Sequence, residues 1–126
     1  MRVISLDHLV LTVADIETAV DFYVTVLGMT RDVFGPDQRT ALRFGTQKIN
    51  LHLKGREFEP KAEMPTAGSG DLCFLVSGFK DLARHLADHN VPVVSGLVTV
   101  TGTMGPMMSY YIRDPDQNLI ELSHYI

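Results

Sequence analysis

The segment YIRDPDQNLIEL, which runs from Tyr111 to Leu122, organises the C-terminal part of the chain. Its middle, Asp114–Gln117, is typical of a turn, because aspartate and proline favour turn geometry. The apolar and aromatic residues on either side predict two strands, Met107–Arg113 and Asn118–Tyr125. Because side chains alternate between the two faces of a strand, Glu121 is expected on the face opposite its apolar neighbours in the sequence.

Working outward from this segment, the chain shows further strand and helix patterns. Runs rich in apolar and β-branched residues predict strands over Leu6–Val13, Thr30–Phe34, Thr40–Phe44, Lys48–Leu53, Leu72–Val76 and Val91–Val94. Two amphipathic stripes predict helices, one from Ile16 to Leu27 after an Asp15 cap and one from Phe79 to Leu86 after a Ser77 cap. Gly28 is suited to end the first helix.

The order of these elements is βαβββ, a linker, and βαβββ again. The first strands of the two halves align with an offset of 63 residues, so that His8 lies over Asp71, and in the last strands Asn50 lies over Glu121. Any α+β chain can be cut into roughly similar halves, but an internal repeat constrains the whole architecture. We expect one α+β domain over residues 1–126, with module 1 about 3–55, a linker about 56–69 and module 2 about 70–126.

Composition excludes several classes of protein. The 126 residues carry a formal net charge of −4, which disfavours nucleic acid as the main partner because phosphate binding needs a basic face. No apolar run approaches the length of a membrane span, and a membrane partner is not expected. The single cysteine, Cys73, allows no intrachain disulfide and is expected to be a small buried residue rather than a nucleophile. We expect a cytoplasmic protein.

Polar side chains on the strand faces opposite the helices form a candidate metal site. They are His8, Asn50, His52, Asp71 and Glu121. An imidazole, two carboxylates and either an amide or a second imidazole are a plausible set of ligands for a divalent metal, if the sheet curls so that they converge. Each also has a structural interpretation: His8 and Glu121 as ordinary polar strand residues, Asp71 as a turn residue, and His52 at a solvated edge. His85, His89 and His124 are interpreted as surface residues.

Three stretches together resemble the vicinal oxygen chelate superfamily. They are Asp7–Val13, the helix end from Phe22 to Met29, and Tyr111–Leu122. This superfamily includes glyoxalase I, methylmalonyl-CoA epimerase, fosfomycin-resistance proteins, extradiol dioxygenases and bleomycin-binding proteins. Within it, Asn50–His52, Glu57–Ala62 and Gly68–Phe74 look most like the glyoxalase domain-containing protein 5 group, which includes lactoylglutathione-lyase-like proteins.

The resemblance implies two βαβββ modules that form a curled mixed sheet around a central cavity, with the helices outside. Family ligands come from the first and last strands of each module, so His8 and Glu121 match. Asn50 stands where glyoxalase I enzymes have a carboxylate, and Asp71 where most relatives have a second histidine. His52 can compensate for Asn50, which makes His8, His52, Asp71 and Glu121 the expected metal ligands. The resemblance leaves Zn, Ni, Mn, Mg or Fe open and implies a homodimer.

By the same resemblance, the metal would chelate two neighbouring oxygens of a small or thiol-conjugated substrate. Glu121 or Asp71 would then move a proton next to the polarised carbonyl. Asn50, Arg43 and Tyr111 are the expected substrate contacts. One alternative is a non-catalytic small-molecule or antibiotic-binding protein of the resistance type. A second is an extradiol-type dioxygenase, which binds its metal through two histidines and one glutamate. His8, His52 and Glu121 could supply that set.

Overall fold

The computed structural model describes residues 1–126 and divides the chain into two units, Met1–Gly68 and Ser69–Ile126. Each unit contains one four-stranded mixed sheet and one helical segment that follows its first strand. The α+β class that the sequence predicts is therefore confirmed. None of the helices combines the length and the apolar character that crossing a lipid bilayer requires.

The first unit forms a sheet with strand order β1-β4-β3-β2. Its elements are β1 (His8–Val13), α1 (Ile16–Asp21), which continues as a π-helical turn over Phe22–Val26, β2 (Thr30–Phe34), β3 (Arg39–Phe44) and β4 (Gln47–Leu53). Strands β1 and β4 are parallel, and the other neighbours are antiparallel.

The second unit has the corresponding strand order, β5-β8-β7-β6. Its elements are β5 (Asp71–Leu75), a 3₁₀ turn over Phe79–Asp81 that leads into α2 (Leu82–Asp88), β6 (Ser95–Gly102), β7 (Gly105–Arg113) and β8 (Leu119–Tyr125). The parallel pair is again the first and last strand, β5 with β8. The repeated βαβββ order agrees with the repeat of pattern in the sequence.

Helix α1 begins and ends as the sequence predicts. The carboxylate of Asp15 accepts hydrogen bonds from the backbone N–H of Thr18 at 2.8 Å and from its hydroxyl at 2.6 Å, which satisfies the first turn. Gly28 ends the segment with φ at +70°, a conformation that glycine adopts without steric cost. Its N–H donates to the carbonyl of Val24, and the N–H of Met29 donates to that of Tyr23.

The core of each unit lies on the helix side of its sheet. In the first unit the alternating residues Leu42, Ile49 and Leu51 are almost completely buried, and in the second unit Ile120 and Leu122 are. Complete burial of one such side chain stabilises the fold by about 1.5–3 kcal/mol. The opposite face of each sheet carries the candidate site residues.

Two local predictions are wrong. Residues 91–94 do not form a strand, and β6 lies later, at Ser95–Gly102. Pro92 has no N–H for a strand ladder, and the register between β6 and β7 is interrupted after Ser95, which hides the strand's alternation. Ser77 does not cap the second helical segment, because Gly78 takes the cap position with φ at +68° and no side-chain hydrogen bond.

Candidate functional site

The turn between β7 and β8 is held by a buried side-chain clamp. Asp114 and Asn118 are 2% and 1% exposed. One carboxylate oxygen of Asp114 accepts from the backbone N–H groups of Asp116 and Asn118, each at 2.9 Å, and the other accepts from the Asn118 side-chain amide at 2.8 Å. The Asn118 amide oxygen then accepts from the N–H of Gly70 at 2.7 Å. The clamp therefore fixes both the start of β8 and the residue before Asp71.

Glu121 lies on β8, on the face opposite the core, and two serines hold it. Its Oε1 accepts hydrogen bonds from Ser109 Oγ at 2.6 Å and from Ser123 Oγ at 3.2 Å. The two hydroxyl oxygens are 2.7 Å apart, and both serines are fully buried. The carboxylate is thus fixed through one oxygen. Neither serine is predicted as a site residue from the sequence. Alternation along β8 puts Ser123 on the Glu121 face, but Ser109 joins them only through the strand register.

Cys73 and Tyr111 flank Glu121 in one row across the second sheet. The Cys73 thiol lies 3.2 Å from Ser123 Oγ and is exposed, which corrects the expectation that it is buried. Partial burial raises the pKa of the Cys73 thiol, and the nearby Glu121 carboxylate acts in the same direction. Burial and Glu121 likewise raise the pKa of the Tyr111 phenol. Both groups therefore stay protonated around neutral pH and can donate hydrogen bonds.

His8 begins β1 on the open face of the first sheet. Its Nδ1 donates to a carboxylate oxygen of Asp7 at 2.7 Å, and this hydrogen bond lowers the pKa of Asp7. Because Nδ1 is used in this bond, Nε2 is the ring nitrogen that is left for another partner. A carboxylate behind an imidazole is the arrangement that orients histidine ligands in metal sites.

Asn50 carries an acceptor that nothing in the structure satisfies. Its Oδ1 is buried and has no hydrogen-bond partner, although the residue as a whole is half-buried. The residue lies on β4 between Val10 of β1 and Ala41 of β3. A buried acceptor without a partner costs about 1–3 kcal/mol. This atom therefore points to a missing donor or cation on the same sheet face as His8.

His52 is separated from His8 and covered by the chain. In the parallel register His8 lies beside Lys48 and His52 beside Thr12, so the two histidines are four residues apart along the strands, about 13 Å. His52 is only 6% exposed, which argues against the alternative interpretation of it as a solvated edge residue, and the Phe58 ring lies 5.5 Å away between ring centroids. Burial lowers the pKa of His52, and the charge of Arg39 lowers it further.

The spacing of the remaining site residues repeats between the units. Asn50 lies two residues after Lys48, the register partner of His8, and Glu121 lies two residues after Leu119, the register partner of Asp71. The offset along the strands is about 7 Å in each case. Arg43 lies in the same cross-strand row as His8, with Lys48 between them, and its Nε donates to Asp32 at 2.9 Å. Asp71 itself is exposed.

The side chains on the open sheet faces differ in how well they suit a metal ion. No group of three or more histidine, cysteine, aspartate or glutamate side chains lies together in the structure in a way that could hold an ion. The first unit nevertheless offers the imidazole of His8 and the unsatisfied oxygen of Asn50, and the second offers the carboxylates of Asp71 and Glu121. Each unit by itself therefore presents donor types that a hard or borderline divalent ion accepts.

Comparisons with known proteins agree with the fold. A family model described as the Glyoxalase/Bleomycin resistance protein/Dioxygenase superfamily matches residues 5–122. The chain is 55% identical over 126 residues to the glyoxalase domain-containing protein RDO1 of Mycosarcoma maydis, covering 99% of this chain and 70% of that protein. The crystal structure of virulence protein STM3117 from Salmonella typhimurium has a TM-score of 0.97 and 50% identity, over all of both chains. Lactoylglutathione lyase from Agrobacterium tumefaciens, at 22% identity, a TM-score of 0.72 and coverage of 94% and 92%, shares the fold.

Proposed function

We propose, because this chain belongs to the Glyoxalase/Bleomycin resistance protein/Dioxygenase superfamily, that it is a metal-dependent enzyme of the glyoxalase I type. Its substrate would be a small molecule, or a thiol conjugate, with two neighbouring oxygens. The reaction would be a proton transfer next to a carbonyl group. We further propose that the protein works in the cytoplasm.

The proposed metal ligands are His8, Asn50, Asp71 and Glu121. The observation that carries the proposal is the buried Oδ1 of Asn50, which lacks a partner. A coordinated cation would satisfy this oxygen. We leave His52 out of the set. It lies two residues beyond Asn50 on β4, packs against Phe58, and is about 13 Å along the strands from His8.

A bound divalent ion would polarise a substrate carbonyl and stabilise the oxyanion that forms there. Glu121 is the proposed acid–base group, and Asp71 is the second candidate. The two serines keep Oε1 of Glu121 in place, so that its other oxygen can accept the proton from carbon and return it to the neighbouring carbon. Tyr111 stands beside Glu121 as a protonated phenol and can donate a hydrogen bond to a substrate oxygen.

Arg43 and Asn50 are the other substrate contacts that the sequence predicts. The Arg43 side chain is 57% exposed and already paired with Asp32, so it would contact only an anionic tail that extends toward solvent. This arrangement supports a thiol conjugate bearing carboxylates better than an uncharged substrate. Asn50 takes the role of metal ligand in the proposal instead.

The proposal includes a homodimer. Apolar side chains lie exposed on the open face of each sheet, Val10 at 44% and Leu75 at 63%, and Leu97 on β6 is 50% exposed. A second copy of the chain would remove them from water, and burial of apolar area drives most protein association. Light scattering after size-exclusion chromatography should give twice the chain mass for the wild type. The same measurement on Leu75→Asp should give a mass shifted toward that of a single chain.

Turnover is tested by proton NMR in deuterium oxide with the hemithioacetal of methylglyoxal and glutathione. Protein loaded in turn with Ni²⁺, Zn²⁺, Mn²⁺, Mg²⁺ or Fe²⁺ should form a thioester in at least one case. Glu121→Gln should abolish the reaction, while Glu63→Gln, which makes the same change at an exposed residue of the 56–69 segment, should retain it. Metal binding without turnover of any such substrate would favour the non-catalytic binding protein instead.

A further inference from the structure

The first unit contains a cavity that the proposed reaction does not use. Its volume is about 210 Å³, and it is lined by Ile16, Gln38, Arg39, Thr40, Leu51, Leu53, Arg56 and Phe58. None of the proposed metal ligands is among these residues. The cavity is smaller than the pockets of roughly 300–1,000 Å³ that hold drug-sized molecules. Its occupant would therefore be a small molecule.

The charged side chains that line this cavity are basic. Two of its lining residues are arginines and none is acidic. Arg56 is exposed, and its side chain forms no ion pair or hydrogen bond. Arg39 has only a loose contact with Asp37, 3.6 Å between Nη2 and the carboxylate. The neighbouring Glu57 carboxylate is occupied by the N–H of Gly55 at 2.9 Å. The two guanidinium groups therefore retain donors for an anion.

The aromatic wall of the cavity is held in a fixed position. The guanidinium carbon of Arg39 lies 4.1 Å from the centre of the Phe58 ring, and the centres of the Phe58 and His52 rings are 5.5 Å apart in an edge-on arrangement. A guanidinium stacked on a ring keeps its N–H donors in its own plane, where they remain available to a carboxylate. The leucines and Ile16 complete an apolar floor.

We infer that this cavity binds a small monocarboxylate with an apolar body, whose carboxylate pairs with Arg39 and Arg56 while its body contacts Phe58, Leu51 and Leu53. The combination of a few placed polar groups with an apolar lining is typical of small-molecule sites. A planar carboxylate matches the fork of a guanidinium group. This inference does not depend on the metal site, because the cavity lies wholly within residues 16–58.

The test is a titration of the full-length protein with benzoate, followed by NMR and by calorimetry. Benzamide, which has the same shape without the charge, serves as the matched ligand. We expect benzoate to perturb resonances of Phe58, Arg39 and Arg56 and to bind at least about tenfold more tightly than benzamide, since hydrogen bonds to charged groups are the strong ones. Arg56→Gln should weaken benzoate binding by about tenfold for the same reason.

Two control variants keep the result interpretable. Arg84→Gln removes the same charge from an exposed position on α2. It should change the affinity for benzoate by less than about twofold, because Arg84 is a surface charge outside the cavity. Glu121→Gln should leave it unchanged. Equal binding of benzoate and benzamide, unaltered binding by Arg56→Gln, or no binding at millimolar benzoate would overturn the inference. Loss of benzoate binding in Glu121→Gln would also overturn it, because the ligand would then occupy the proposed metal site.

Discussion

Replacing Asp114 by alanine should destabilise the second unit strongly. The substitution removes the acceptor of three hydrogen bonds and leaves the buried N–H of Asn118 and its buried side-chain amide without a partner. Water can replace the acceptor at Asp116, whose bond is only partly buried, so two buried bonds set the magnitude. At about 1.5–3 kcal/mol for each hydrogen bond to a charged group, the expected loss in free energy of unfolding is about 3–6 kcal/mol.

The loss would be measured by urea unfolding followed by circular dichroism. Asp114→Asn keeps the oxygen that the two backbone N–H groups use and should lose less, about 1–3 kcal/mol. Asp37→Ala, in the turn between β2 and β3 of the first unit, removes only an exposed ion pair at 3.6 Å and should lose less than about 0.5 kcal/mol. Hydrogen exchange at the Gly70 amide should accelerate in Asp114→Ala. A loss no larger than that of Asp37→Ala, or unchanged exchange at Gly70, would refute the clamp.

Three further outcomes follow from single features of the structure. Gly28→Ala should lower the free energy of unfolding by about 1 kcal/mol through its φ of +70° alone, since an added Cβ meets no atom within 4 Å; a neutral result by urea unfolding would contradict this. Because folding lowers the pKa of His52, the free energy of unfolding should fall as the pH drops below the unfolded pKa of about 6.5, and this fall should be smaller in His52→Gln. Phe58→Ala should raise the pKa of His52, followed by NMR titration; an unchanged pKa would show that Phe58 does not desolvate the ring.

The parts of the fold that could be predicted are those with local causes. Asp15 and Gly28 signal the two ends of the first helical segment from the local sequence alone. The alternation along β8 likewise places Glu121 on the face opposite the core. Strand β6 escaped prediction because its register with β7 breaks between Ser95 and Val98, which removes the simple period of two. The misplaced strand at residues 91–94 has suitable composition, but composition does not determine pairing.

The candidate site could be predicted only in part, because its environment depends on contacts between residues far apart in the chain. Ser109 reaches Glu121 across an antiparallel pair, and Asn118 reaches Gly70 from 48 residues away. The burial of His52 depends on Phe58, which lies outside every predicted element. The unsatisfied oxygen of Asn50 appears only once its neighbours on both sides are placed.

The most direct test of the proposed metal site is the metal content of the purified protein, measured by mass spectrometry for the wild type and four variants. We expect about one divalent ion per chain in the wild type, and its loss in His8→Ala, Glu121→Ala and Asn50→Leu, because each variant removes a ligand. His52→Gln, on the same strand face as Asn50, should retain the ion. A wild type that holds no divalent ion after incubation with each candidate metal would contradict the account. So would an ion that survives Glu121→Ala but is lost in His52→Gln.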